Sequence, residues 1–245
     1  MGAVTFWYNK DLFAQAGIEE VPTTWAEFLD VCETLKAAGI TPIAVGEGDK
    51  WPGMHIWAYL VSRIGGAEAF AKAADSSDAR SGSFEDEAFV QAGYELKKLV
   101  DGGYFQDGFL GAVHDDQMAA LGNGKAAMVL GGQWTASGQA SNSADLKGCN
   151  LGMFNFPAVE GGKGLVTDLV GGGNGFAIGK DAEPEAIDFV KYLTSLDNQK
   201  VIAASNSGIP VAKGASEALV DPNMVMVADA VANSTYYQLY FDQVL

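Results

Sequence analysis

Positive charge is scarce in this chain. Lys and Arg number 15 against 31 Asp and Glu, a formal net charge of −16 over 245 residues. Nucleic acid, anionic membrane surfaces and phosphorylated ligands all need a positive patch, so a neutral ligand is the easier partner. Histidine is scarcer still. His55 and His114 lie far apart, and neither has a cysteine or carboxylate at metal-ligand spacing. There is no His-Glu-x-x-His and no Gly-x-Ser-x-Gly, so zinc hydrolysis and a serine elbow have no support. A carboxylate pair for glycoside cleavage is possible among 31 acids. Yet none stands isolated in an apolar stretch, where a raised pKa would arise. Of the two cysteines, Cys32 shares an apolar helical stripe with Trp25, Phe28, Leu29 and Leu35, and Cys149 sits in a loop. Their spacing neither requires nor forbids a disulfide. No apolar run is long enough to cross a membrane, and no signal peptide opens the chain.

Hydrophobic residues are plentiful at 48%, enough for a real core. Strand-like and helix-like stretches alternate, which predicts an α/β fold. The pattern is clearest at 126–130, five apolar residues between glycines, which reads as a strand buried on both faces. Gly131 and Gly132 end it, and Gln133 and Trp134 follow. Glycines there let the backbone turn sharply and lie close to something else. Ligands in open α/β sheets sit beyond the carboxyl ends of strands, so Trp134 reads either as core or as a ligand platform.

Further strands are predicted at 4–8, 41–45, 151–156 and 176–178. Helices are predicted at 10–16 capped by Asn9, at 25–38 with a Thr24/Glu27 capping box, and from 53 or 54 to 64. Others follow at 84–100 capped by Ser83, near 115–121, at 185–196, at 198–204 and after Pro222 to 232. Residues 67–83 read as a surface excursion.

The glycine run at 171–175 is not a phosphate loop. Asn174 stands where the P-loop glycine belongs and Asp181 where Ser or Thr would hold magnesium. It reads instead as a backbone corner whose N–H groups could meet ligand hydroxyls, or as a tight turn only. Trp51, Trp134, Tyr237 and Tyr240 fall at element junctions, whereas Trp7, Trp25 and Trp57 fall inside apolar patterns and read as core. Pyranose C–H faces pack on aromatic rings while sugar hydroxyls go to amides and carboxylates. Gln133, Asn174, Glu47, Asp49 and Asp242 are suitable polar neighbours.

In order along the chain, 6–13 with 16–18 is similar to a "YNKDLF…AGI" segment, 22–27 to "P-x-T-W-x-E", and 123–134 to "GKAAM…W". Residues 184–193 match a helix ending in "FLxxL", and 208–211 a "G-x-x-P" turn. Through these segments the chain resembles the bacterial extracellular solute-binding proteins of family 1, maltose-binding-protein-like carbohydrate receptors of ABC importers. The resemblance implies a periplasmic-binding-protein type II-like α/β fold with two lobes that close on sugar. It implies that residues 8–175 are mostly the C-terminal lobe, that 176–225 return to the N-terminal lobe, and that 226–245 cross back. The core of the N-terminal lobe and the final helices would be absent. The strand-like start and the uncapped aromatic end at 236–245 agree with an excerpt of a longer protein.

The resemblance further implies Trp51, Trp134 and Tyr240 as aromatic platforms and Gly172, Gly173 and Asn174 as a backbone corner facing sugar; Glu47 and Asp242 join them as expected polar contacts on the chemistry of their side chains. It implies a carbohydrate ligand, ABC permease subunits as partners, a monomer outside the cytoplasm, no cofactor, no metal and no catalysis. A non-sugar solute such as a peptide or polyol, or less readily a glycan-active enzyme, is the alternative. With half the cleft missing, this chain alone is predicted to bind sugar poorly; micromolar binding by calorimetry would overturn that.

Overall fold

The computed structural model describes residues 2–75, 77, 81–206 and 208–241. Its elements run β1 (Gly2–Ala3), β2 (Thr5–Asn9), α1 (Lys10–Gln15), α2 (Trp25–Ala37), β3 (Thr41–Ile43), α3 (Trp51–Gly65), α4 (Ala69–Ala74), α5 (Glu87–Asp101) and α6 (His114–Gly122). Then come β4 (Ala126–Gly131), α7 (Thr135–Ser141), β5 (Leu151–Phe154), β6 (Leu169–Gly172), α8 (Pro184–Leu193), α9 (Leu196–Ala204), α10 (Pro222–Ala232) and β7 (Tyr237–Leu239).

The main sheet has the order β3-β4-β2-β5, with β3 parallel to β4 and the other pairs antiparallel. Every residue of β4 is buried, as an unbroken apolar run demands. Opposite pairs such as Phe6–Leu130 and Trp7–Val129 send side chains to alternate faces, and each face has its own core. On one side Phe6 packs on Phe28, Phe154 and Phe156, and Trp25 stacks on Phe28 and Phe156. On the other, Trp7 and Val129 share a core with Met118, Leu121, Met153, Ile209, Met224 and Val227. The second, three-stranded sheet is β1-β6-β7.

Local signals explain most helix starts. The Asn9 side chain accepts the Asp11 and Leu12 amides at the start of α1. Thr24 and Glu27 form the predicted capping box of α2. Four readings are corrected. Residues 67–83 are not only surface excursion: α4 forms there because Phe70 is buried against Phe241, rings 3.7 Å apart. The helix after Ser83 begins at Glu87, because Ser83 and Asp86 first bond within a turn. Helix α3 begins at Trp51, since Pro52 has no N–H to leave unpaired. Residues 176–178 form no strand; Phe176 and Ile178 are exposed and have no partner strand among the described residues. The exposure continues through α8, which has no buried residue, whereas Ile209 and Met224 rejoin the core. Cys32 and Cys149 are free thiols, Cys32 buried in the core as read.

One side-chain pair joins the two sheets. The hydroxyl of Tyr59, on α3, donates to the Val4 carbonyl and accepts the Val170 amide at 3.0 Å. Burial pushes its pKa up to about 12, so the phenol keeps its proton. One turn on, the fully buried Arg63 lies 5.1 Å over the Tyr59 ring and donates to the carbonyls of Phe156, Pro157 and Val166. Tyr59→Phe leaves a buried N–H and C=O unpaired and is expected to cost about 1–3 kcal/mol. Arg63→Ala orphans three carbonyls and opens a cavity, and should cost more, roughly 3 kcal/mol or above. Urea denaturation midpoints check both; an unshifted midpoint for Tyr59→Phe would remove the phenol from this role.

Candidate functional site

A cavity of about 390 Å³ opens where α3, α6, the end of β4, β6 and the segment after β7 meet. Each wall is placed by local chemistry. The turn Glu47–Asp49 is tied to the start of α6, where Asp49 accepts the His114 amide at 2.7 Å and Gln117 Oε1 accepts the Gly46 amide at 2.8 Å. Trp51, opening α3 just after that turn, is thereby brought beside His114, ring centroids 4.9 Å apart. At the end of β4 the chain folds so tightly that a Cβ on Gly132 would lie 2.2 Å from Trp134 Cζ3. The close neighbour that this glycine admits is the indole itself. Trp134 meets Trp51 edge-on at 6.1 Å, and its Nε1–H donates to His114 Nε2 at 3.2 Å. His114 Nδ1 in turn faces Asp115 at 3.5 Å, so the imidazole holds the indole as acceptor. From the far end of the chain, the Tyr240 amide bonds the Gly171 carbonyl at 2.8 Å, which carries the Tyr240 ring onto His55 at 5.4 Å and 24°.

Trp51, Trp134 and Tyr240 therefore meet in one cavity. Gly172, Gly173 and Asn174 do not line it: Gly172 ends β6 buried against Gly2, while Gly173 and Asn174 are exposed beyond. Glu47 lines a second, mostly apolar cavity of about 460 Å³ on the other side of Met54. It bonds the Gly53 amide near the N-terminus of α3, where an anion suits the helix dipole, and burial nonetheless pushes its pKa up. Asp242 lies outside the described residues. Sequence reasoning passed over Met54, His55, His114, Val170 and Phe241, which all line the first cavity. One signal was present: Trp51, Met54, His55 and Ala58 fall at i, i+3, i+4 and i+7, one face of α3. The two histidines, dismissed as remote from one another, both contact Trp51.

Among the described residues no carboxylate, lysine or arginine lines this cavity. Among the described residues no group of three or more His, Cys, Asp or Glu is placed to hold a metal, and no helix is long and apolar enough to cross a membrane. What the cavity can do is hold an uncharged molecule with a flat apolar face.

Such an aromatic-walled cavity on an α/β scaffold is suited to a small neutral solute. Residues 1–200 match the bacterial extracellular solute-binding protein family, and the chain belongs to it. It is 33% identical over 195 residues to a multiple sugar-binding protein of Streptococcus mutans serotype c, an alignment covering 77% of this chain and 44% of that one. It is 26% identical over 223 residues, 90% of this chain and 47% of the relative, to an uncharacterised ABC transporter extracellular-binding protein of Pyrococcus horikoshii. Among solved structures it superimposes on a chitin oligosaccharide binding protein with a TM-score of 0.87 and 29% identity, covering 100% of this chain and 61% of that one. The fold is thus the mixed α/β fold of periplasmic solute-binding proteins. The chain spans less than half the length of these two curated relatives.

His55 makes stability depend on pH. It is buried, and burial, with His114 adding to it, lowers its pKa to about 4. An unfolded histidine titrates near about 6.5. Between those values the unfolded chain binds more protons, so the contribution is full above the upper value and lost as pH falls to the lower one. The loss amounts to roughly 3 kcal/mol. Denaturation of wild type and His55→Phe across this window should show the variant's stability falling less steeply; parallel curves would contradict the assignment.

Proposed function

We propose that the chain is the cavity-bearing part of the extracytoplasmic receptor of an ABC importer, binding a neutral mono- or oligosaccharide by aromatic stacking and hydrogen bonds, without catalysis. The observation that carries this reading is the uncharged wall of Trp51, Trp134, His55, His114 and Tyr240. A pyranose presents apolar C–H faces to such rings. The names of the sugar-binding and ABC-transporter relatives support the same ligand class and permease subunits as partners. The location is then the periplasm or the outer face of the cell membrane, with the intact protein a monomer.

The lobe assignment belongs to the proposal too. Residues 8–175 form mostly the C-terminal lobe, 176–225 return to the N-terminal lobe, and 226–245 cross back. Exposed Phe176, Phe189 and Tyr192 support it, since an apolar face of this kind is suited to packing on a further lobe. Ile209 and Met224 are the points where the return segment touches this lobe's core.

A tryptophan-fluorescence and calorimetry screen of mono- and oligosaccharides against the full-length protein tests the reading. At least one sugar should bind, and Trp134→Ala should weaken it by more than about 1 kcal/mol. Release of reducing sugar would favour an enzyme instead, and unchanged affinity would remove Trp134 from the site.

A further inference from the structure

Within the aromatic cavity, the polar groups are not equally available. His114 Nε2 already accepts the Trp134 indole, and its Nδ1 faces Asp115. His55 is different. Its ring is 6% exposed, held between Trp51 at 5.3 Å and Tyr240 at 5.4 Å, and it lines the cavity. Among the described residues its Nδ1 is sealed from solvent with no hydrogen-bond partner, whereas Nε2 is not sealed in this way and bonds no protein group. Nε2 is therefore the nitrogen open to the cavity.

We propose that His55 is the residue that reads the ligand's polarity in this cavity, by a hydrogen bond between its Nε2 and a hydroxyl of a neutral sugar ring packed against the Trp51 and Trp134 rings. The inference rests on the sugar-binding reading and adds to it the residue that selects the ligand group. A hydroxyl both donates and accepts, so it satisfies Nε2 in either neutral tautomer. A carboxylate accepts only and an ammonium donates only, and each would bring a charge to a wall with no counter-charge. The imidazole meets rings on two sides, so binding orders little that is not already ordered. Burial also keeps His55 neutral, with its pKa near 4.

The test uses full-length protein with chitotriose, xylotriose and raffinose as probes, and compares wild type, Trp134→Ala, His55→Phe and His55→Gln by calorimetry. For the sugar that binds, His55→Phe should lose affinity by about tenfold, a hydrogen bond's worth. His55→Gln, which keeps a donor and an acceptor, should stay within about threefold of wild type. In ¹⁵N spectra of the wild-type imidazole, sugar should shift Nε2 and leave Nδ1 in place, a readout that needs no variant to fold. Wild-type affinity in His55→Phe with loss in Trp134→Ala, or an unmoved Nε2 resonance at saturating sugar, would overturn the role of His55 and leave the sugar reading standing. Failure of all three probes to bind wild-type protein would overturn both.

Discussion

The structure depends on the bond pair of one buried phenol. Tyr59 reaches out of α3 and joins Val4 to Val170, where the main sheet gives way to the smaller one. Because both partners are backbone groups in a dry core, neither can turn to water if the phenol leaves, so the phenol reinforces the hold on β6 that its pairing with β1 and the Val4 N–H bond to the Val170 carbonyl already give. Arg63 braces the same helix against the loop after β5 through three carbonyls and the Tyr59 ring. With β6 held, parallel pairing places β7, and the amide of Tyr240 finds Gly171. The far wall of the cavity is thus carried by β6 and its pairing on both sides.

The opposite wall is built by polar bonds between backbone and side chain. Asp49 and Gln117 bind the turn before α3 to the start of α6, and His114 then holds the Trp134 indole. Each aromatic face is therefore positioned by a group other than the ring itself. A site made this way is stiff before any ligand arrives, which lowers the entropy lost on binding. Among the described residues its lining carries no formal charge, in a protein whose overall charge is strongly negative.

Most local signals in the residues made the fold legible. Asn9 and the Thr24/Glu27 box start helices where their side chains reach the next amides, and β4 is buried because every one of its residues is apolar or glycine. Two of the misreadings share one cause. Residues 69–74 and 176–178 are decided by distant partners: Phe70 has Phe241 to cover it, while Phe176 has no strand to join among the described residues. Local propensity does not carry that information.

The same division holds at the site. By itself the sequence determined that the protein is α/β, that Gly132 lets the chain fold back beside Trp134, and that Trp51, Trp134 and Tyr240 stand at element junctions suited to a ligand. Only the tertiary structure decided that these three share one cavity, that Glu47 bonds the Gly53 amide and faces a neighbouring cavity, and that His55 and His114 line the cavity of the three aromatics. The reason is physical. A cap or a buried strand is set by residues within a few positions, whereas a cavity wall is set by which strand pairs with which, and here that pairing runs through Tyr59 to residues at both ends of the chain.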